Sequence, residues 1–213
     1  MHIKYLFSYL LTLLILCSSY ANAAQPTILI LGDSLSAAFG IKEEEGWGAL
    51  LQTKLRADGY PHKVVNASVS GETTAGGASR AGKLINRYRP QVLILELGAN
   101  DGLRGLTLKA MKANLSKIVE VAQHADTKVV LVGMHLPPNY GKAYTRIFHK
   151  TYQDIADQGG LAFVPFLFAG LEDGPNYFQA DNLHPTALAQ PFLLRNIWPA
   201  VNDLISPQKH NSP

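Results

Sequence analysis

The chain has 213 residues, is 47% apolar and 16% charged, and carries a formal charge of +3. Such a composition builds one good hydrophobic core, so a single domain is expected. No basic run is dense enough to track a phosphate backbone, which excludes nucleic acid as a partner.

The first two dozen residues are a different material. Lys4 gives a positive start, Tyr5 to Leu16 is almost wholly apolar, and Ala21-Asn22-Ala23 places small residues before a break. That pattern predicts a cleaved secretory signal over residues 1–23 and a mature domain over 24–213. A retained anchor wants about 20 apolar residues, and the run here breaks at Cys17-Ser18-Ser19. Cys17 is the only cysteine, and Leu16 before it does not suit lipidation, so the mature chain has no thiol or disulfide chemistry. Export to a bacterial periplasm or to the medium is expected, with no stable membrane anchor after cleavage.

Strand-like and helical patterns then alternate. Ile28 to Leu31 reads as a buried strand, and Trp47, Leu50, Leu51 and Leu55 as a helix that ends at Gly59. His62 to Asn66 is a strand, and Thr73 to Tyr88 a helix weakened by its glycines. Val92 to Leu97 is the most strand-like run in the chain. Leu108, Met111, Leu115, Ile118, Val119 and Ala122 form one helical stripe, with Thr107 as N-cap. Lys128 to Val132 and Leu161 to Pro165 are strands flanking a helix over Tyr144 to Ala156, and the chain closes with a helix interrupted at Pro191 and Pro199. Five strands alternating with helices predict a parallel sheet covered on both faces, a three-layer α/β/α domain.

In such a sheet chemistry gathers at the carboxyl ends of the strands. Ser34 follows the first strand in Gly32-Asp33-Ser34-Leu35-Ser36, and Gly71 follows the second in Asn66-Ala67-Ser68-Val69-Ser70-Gly71. Asn100 follows the third in Gly98-Ala99-Asn100-Asp101-Gly102, and Asp181-Asn182-Leu183-His184-Pro185 precedes the last helix. A serine hydroxyl needs a base to take its proton, and the base works best when a carboxylate holds its tautomer. Ser34 is therefore the candidate nucleophile, His184 the base and Asp181 the orienter. The N–H groups of Ser34 and Gly71 and the amide of Asn100 are the candidate oxyanion donors. Taken singly, each motif has a plain alternative: an Asx turn at Gly-Asp-Ser, a helix entry at Asp-x-x-His-Pro, an ordinary turn at Gly98 to Gly102. No Gly-Lys-Ser/Thr follows the glycines from Gly71 to Gly77, which argues against a phosphate loop. His62, His124, His135 and His149 lack metal-site spacing, so neither metal nor cofactor is expected.

In their order these blocks resemble the four sequence blocks of the GDSL, or SGNH, hydrolases, whose Ser, Gly, Asn and His match Ser34, Gly71, Asn100 and His184. Within that family the chain is most similar to the small periplasmic acyl-CoA thioesterase/lysophospholipase/arylesterase group, a likeness shared by Leu136-Pro137-Pro138-Asn139-Tyr140-Gly141. The resemblance implies a flavodoxin-like sheet and hydrolysis of acyl esters and thioesters, lysophospholipids among them, by a monomer through an acyl-enzyme. No Gly-x-Ser-x-Gly occurs, so the sharp nucleophile elbow of the α/β-hydrolases is missing. A polysaccharide deacetylase of the same family, or a binding protein without turnover, are the competing readings. Two segments after strand ends, Leu103 to Leu108 and Met134 to Tyr144, combine apolar side chains with glycines. They predict that Leu103, Leu106, Leu136 and Tyr140 cover the acyl chain, and the resemblance favours the first as a mobile substrate loop.

Overall fold

Strand β1, Thr27–Gly32, is buried from Ile28 onward and pairs on both sides, with Lys63–Asn66 (β2) and Val92–Glu96 (β3). Lys128–Val132 (β4) and Ala162–Val164 (β5) extend the sheet beyond β3. All pairings are parallel, and the order is β2-β1-β3-β4-β5. The computed structural model describes residues 25–171 and 176–206. The expected signal segment, its cleavage point and Cys17 lie outside the described residues.

Strands buried on both faces require cover on both, which explains the unbroken apolar runs Ile28 to Leu31 in β1 and Val92 to Leu95 in β3. Helices α1 (Trp47–Ala57) and α2 (Thr74–Tyr88) lie on opposite faces. The short α3 (Ala99–Leu103) follows β3, and α4 (Leu108–His124) and α5 (Lys142–Gly159) join the α2 layer. Helix α6 (Gln190–Ile205) packs beside α1. Thr107 caps α4, its hydroxyl accepting from Ala110 N–H at 3.3 Å. At Gly77 a side chain would run into Leu97, so this glycine lets α2 approach the sheet.

Three local expectations need correction. Pro191 does not interrupt the last helix but falls in its first turn, where a missing N–H is harmless. Pro199 lies inside α6 without ending it, because Leu193, Ile197, Val201 and Ile205 bury one face on both sides of the proline. The Gly98–Gly102 stretch is the start of a helix rather than a plain turn, with Gly98 at φ 117° opening it and Asp101 buried against Thr74. That anchoring through a carboxylate is long-range and leaves no local trace in sequence.

The chain leaves β1 toward β2 on one side and returns to β3 on the other. The order therefore reverses between β1 and β3, and an open α/β sheet has its crevice at such a point. Ser34 and Asn100 are the residues that follow those two strands.

Candidate active site

The turn after β1 is fastened from several directions. Asp33 Oδ1 accepts from Leu35 N–H at 3.0 Å, and Asp33 O from Ala37 N–H at 2.9 Å. Trp47 Nε1 donates to Leu35 O at 3.2 Å, Asn66 Nδ2 to Ser36 O at 2.7 Å, and Ser36 Oγ to Glu96 Oε2 at 2.7 Å. The Asx turn and the nucleophile reading of Gly-Asp-Ser are thus not rivals. The turn is the device that holds Ser34 outward.

Asp181 organises the opposite wall in the same way. Its Oδ1 accepts from Leu183 N–H at 2.9 Å and His184 N–H at 3.0 Å, which leaves Oδ2 to face His184 Nδ1 at 2.6 Å. Nδ1–H donating to Asp181 makes Nε2 the acceptor, and Ser34 Oγ lies 2.9 Å from it. The His184 backbone N–H, then its imidazole and the Leu183 N–H, hold the Asp181 carboxyl down at about 2. Hydrogen bonds to the charged form have that effect. The Phe39 ring lies 4.4 Å from the imidazole, tilted by 40°, and limits its movement.

Asn100, in the first turn of α3, spends one amide N–H on Asp33 Oδ2 at 3.0 Å. Neither Ser34 N–H nor Gly71 N–H has a hydrogen-bond partner among the described residues. Gly71 has φ 78°, a left-handed conformation that suits glycine. Arg104 Nη2 donates to Gly71 O at 2.9 Å and reaches Asn100 Oδ1 at 3.5 Å, joining two loops that the sequence alone kept apart.

Beneath the serine lies a pair of carboxyls that sequence reasoning missed. Asp33 and Glu96 are both fully buried, with Asp33 N–H 3.4 Å from Glu96 Oε2. Burial pushes Asp33 up to about 6, against the lowering effect of its bonds to Leu35 and Asn100. Burial, and then the Asp33 charge, push Glu96 well above the usual carboxylate range. Asp33 is committed to Asn100, so it is Asp181 that meets the histidine.

A cavity of about 340 Å³ opens beside Ser34, Asn100 and His184. Leu103 and Leu136 line it, whereas Leu106 and Tyr140 do not. Leu106 is 42% exposed, and Tyr140 instead donates its hydroxyl to Leu103 O at 3.0 Å, bracing the segment from behind. Gly71 also lies outside the lining, at the rim held by Arg104. The unforeseen part of the wall is aromatic: Phe166, Phe168 and Phe178, with Phe168 edge-on to the other two. Phe166 and Phe168 follow β5, a strand end like those that carry the polar residues, and that position was their only sequence signal. Among the described residues no group of three or more His, Cys, Asp or Glu side chains is placed to hold a metal ion.

A sequence model of the GDSL-like Lipase/Acylhydrolase family matches residues 30–190. The chain belongs to that family. It is 44% identical over 184 residues to Esterase TesA of Pseudomonas aeruginosa, covering 86% of this chain and 92% of the relative. It is 35% identical over 205 residues to the Thioesterase 1/protease 1/lysophospholipase L1 of Escherichia coli, covering 94% of each. The crystal structure of the psychrotrophic esterase EstA from Pseudoalteromonas sp. superposes with a TM-score of 0.80 at 38% identity, over 85% of this chain and 99% of that one. The family assignment makes the protein an SGNH-type ester hydrolase.

Proposed function

We propose that the protein hydrolyses carboxylic esters and thioesters of acyl groups through an acyl-enzyme on Ser34. The observation that carries this reading is the relay from Ser34 Oγ to His184 Nε2 at 2.9 Å and from Nδ1 to Asp181 at 2.6 Å. It stands at the mouth of an apolar cavity.

Ser34 Oγ attacks the acyl carbonyl carbon while its proton passes to His184 Nε2. Asp181 stays ionised and stabilises the imidazolium, as a triad orienter does. The oxyanion accepts from Ser34 N–H, Gly71 N–H and the second N–H of Asn100, donors that matter most as charge develops. Collapse breaks the bond to the leaving oxygen or sulfur, which takes the proton from His184. Water then gives a proton to His184 and attacks the acyl-enzyme; the bond from the acyl carbon to Ser34 Oγ breaks, Oγ takes the proton back from His184, and the acid leaves.

The cavity supports substrates with medium or long acyl chains over acetylated polysaccharide, since about 340 Å³ of largely apolar space is more than an acetyl group fills. The relative named as a lysophospholipase and thioesterase extends the proposal to lysophospholipids and thioesters. EstA is described as inhibited by monoethylphosphonate, a reagent class that captures activated serines. Action as a monomer and export after cleavage of residues 1–23 complete the reading. Among the described residues no helix is long and apolar enough to cross a membrane.

Nitrophenyl esters of rising chain length test the assignment. Turnover that increases from acetate toward octanoate is expected. A protein that hydrolyses acetate alone would be a deacetylase, and one that turns over none would be a binding protein.

A further inference from the structure

Helix α5 begins beside the acyl cavity with two cations, Lys142 and Arg146, that no described carboxylate pairs. Lys142 lies three and four residues before Thr145 and Arg146, and these lie four and three before His149, so the four share one face. That face, with His135, Leu136 and Pro138, encloses a second groove of about 450 Å³. No Asp or Glu lines it. Neither Lys142 nor Arg146 forms an ion pair with a described residue, whereas Lys150, further along the same helix, is paired with Asp154. The Thr145 hydroxyl is used on the carbonyls of Gly141 and Lys142, each at 3.2 Å, so recognition in the groove falls to the charged groups.

The two cavities share a wall. His135 and Leu136 line both, while Ser34, Asn100 and His184 line only the first. His135 is stacked on Phe166 at 4.3 Å and meets the edge of His149 at 4.1 Å, forming an aromatic partition between the acyl cavity and the cations. A group in the second groove is thus removed from the scissile bond, with apolar surface between.

We propose that this groove is an anion subsite, in which Lys142 and Arg146 bind a carboxylate or phosphate tethered to the substrate away from its ester bond. The proposal rests on the ester-hydrolase reading and deepens it, by assigning residues to the anionic group of amphiphilic esters that carry one remote from the reacting carbonyl. A guanidinium fork with an ammonium one helical turn away matches the oxygens of either anion. The anion has two possible origins, the far end of the acyl chain or the leaving group.

Two substrate pairs separate these origins. The nitrophenyl monoester of octanedioic acid against nitrophenyl octanoate tests a carboxylate on the acyl chain. Monoacylglycerol phosphate against monoacylglycerol tests a phosphate on the leaving group. In at least one pair the kcat/KM ratio of charged to neutral substrate should fall about tenfold in K142Q/R146Q, through KM. K142E/R146E, which reverses both charges, should lower it further, and added salt should reduce it in the unaltered protein by screening. Both positions are exposed on the helix, and circular dichroism checks that the variants fold. A ratio unaffected by these substitutions and by salt in both pairs overturns the subsite. Failure of the unaltered protein to hydrolyse nitrophenyl octanoate would instead refute the hydrolase reading on which it rests.

Discussion

Asn100 donates its side-chain amide to Asp33 Oδ2 at 3.0 Å, linking the end of β3 to the turn that carries Ser34. An Asn side chain has two N–H donors and one carbonyl. With one N–H fixed on Asp33 and the carbonyl facing Arg104, the other N–H has a set direction. Removing the amide in Asn100→Ala should lower kcat about 10²–10³-fold with little change in KM, because the donor acts as charge develops. Asp33→Ala should show a smaller loss of the same kind. A rise in KM at constant kcat would make Asn100 a ground-state binding residue.

The buried carboxyl pair predicts a pH dependence of stability. Asp33 is raised to about 6 and Glu96 well above the usual range. The native state therefore holds protons that the unfolded chain releases near pH 4. Stability is favoured at low pH, declines as pH rises from about 4 through the raised values, and is constant above them. Glu96→Gln keeps an acceptor for Ser36 and removes one titration. Denaturant midpoints across pH should fall less steeply in this variant, and identical profiles would refute the coupling.

Asp181 has the opposite sign. Its carboxyl is held at about 2, so its contribution is present above pH 4 and is lost as pH falls toward 2. It is 40% exposed, and the stabilisation is correspondingly modest. The catalytic consequence is larger: Asp181→Asn should reduce kcat between tenfold and about 10⁴-fold, because an amide no longer stabilises the imidazolium. Near-normal kcat would return the orienting role to another carboxylate.

Acyl selectivity should map to the aromatic wall rather than to Leu106. Phe168→Ala and Leu136→Ser should depress octanoate esters more than acetate, with each buried CH₂ contributing up to about 0.8 kcal/mol. Leu106→Ser should leave the chain-length profile almost unaltered. Equal losses on acetate and octanoate would show that the acyl chain lies elsewhere.

What the sequence made legible divides along a physical line. Val92 to Leu97 and the stripe from Leu108 to Ala122 were readable because burial on a sheet or helix face imposes a local period. That Ser34 and Asn100 would border one crevice was readable because strand ends share one edge of a parallel sheet. The Asp33–Glu96 pair was not, since Glu96 ends a strand whose other residues are apolar and its partner is 63 residues away. Arg104 escaped for the same reason, joining Gly71 to Asn100 across two loops. Tyr140 carried an apolar ring and was read as lining, but its hydroxyl draws it to the Leu103 carbonyl behind the wall.

In the proposed mechanism Ser34 is the nucleophile and His184 its base, acting as one unit. Labelling with a fluorophosphonate followed by peptide mass spectrometry, beside turnover of Ser34→Ala, His184→Ala and the double variant, tests it most directly. A single adduct on the peptide containing Ser34 is expected, strongly slowed in His184→Ala. Each substitution should cost about 10⁴-fold or more, and the double variant no more than the worse single one. An adduct on another residue, or a double variant that loses the product of the two factors, would rule out Ser34 and His184 as one catalytic unit.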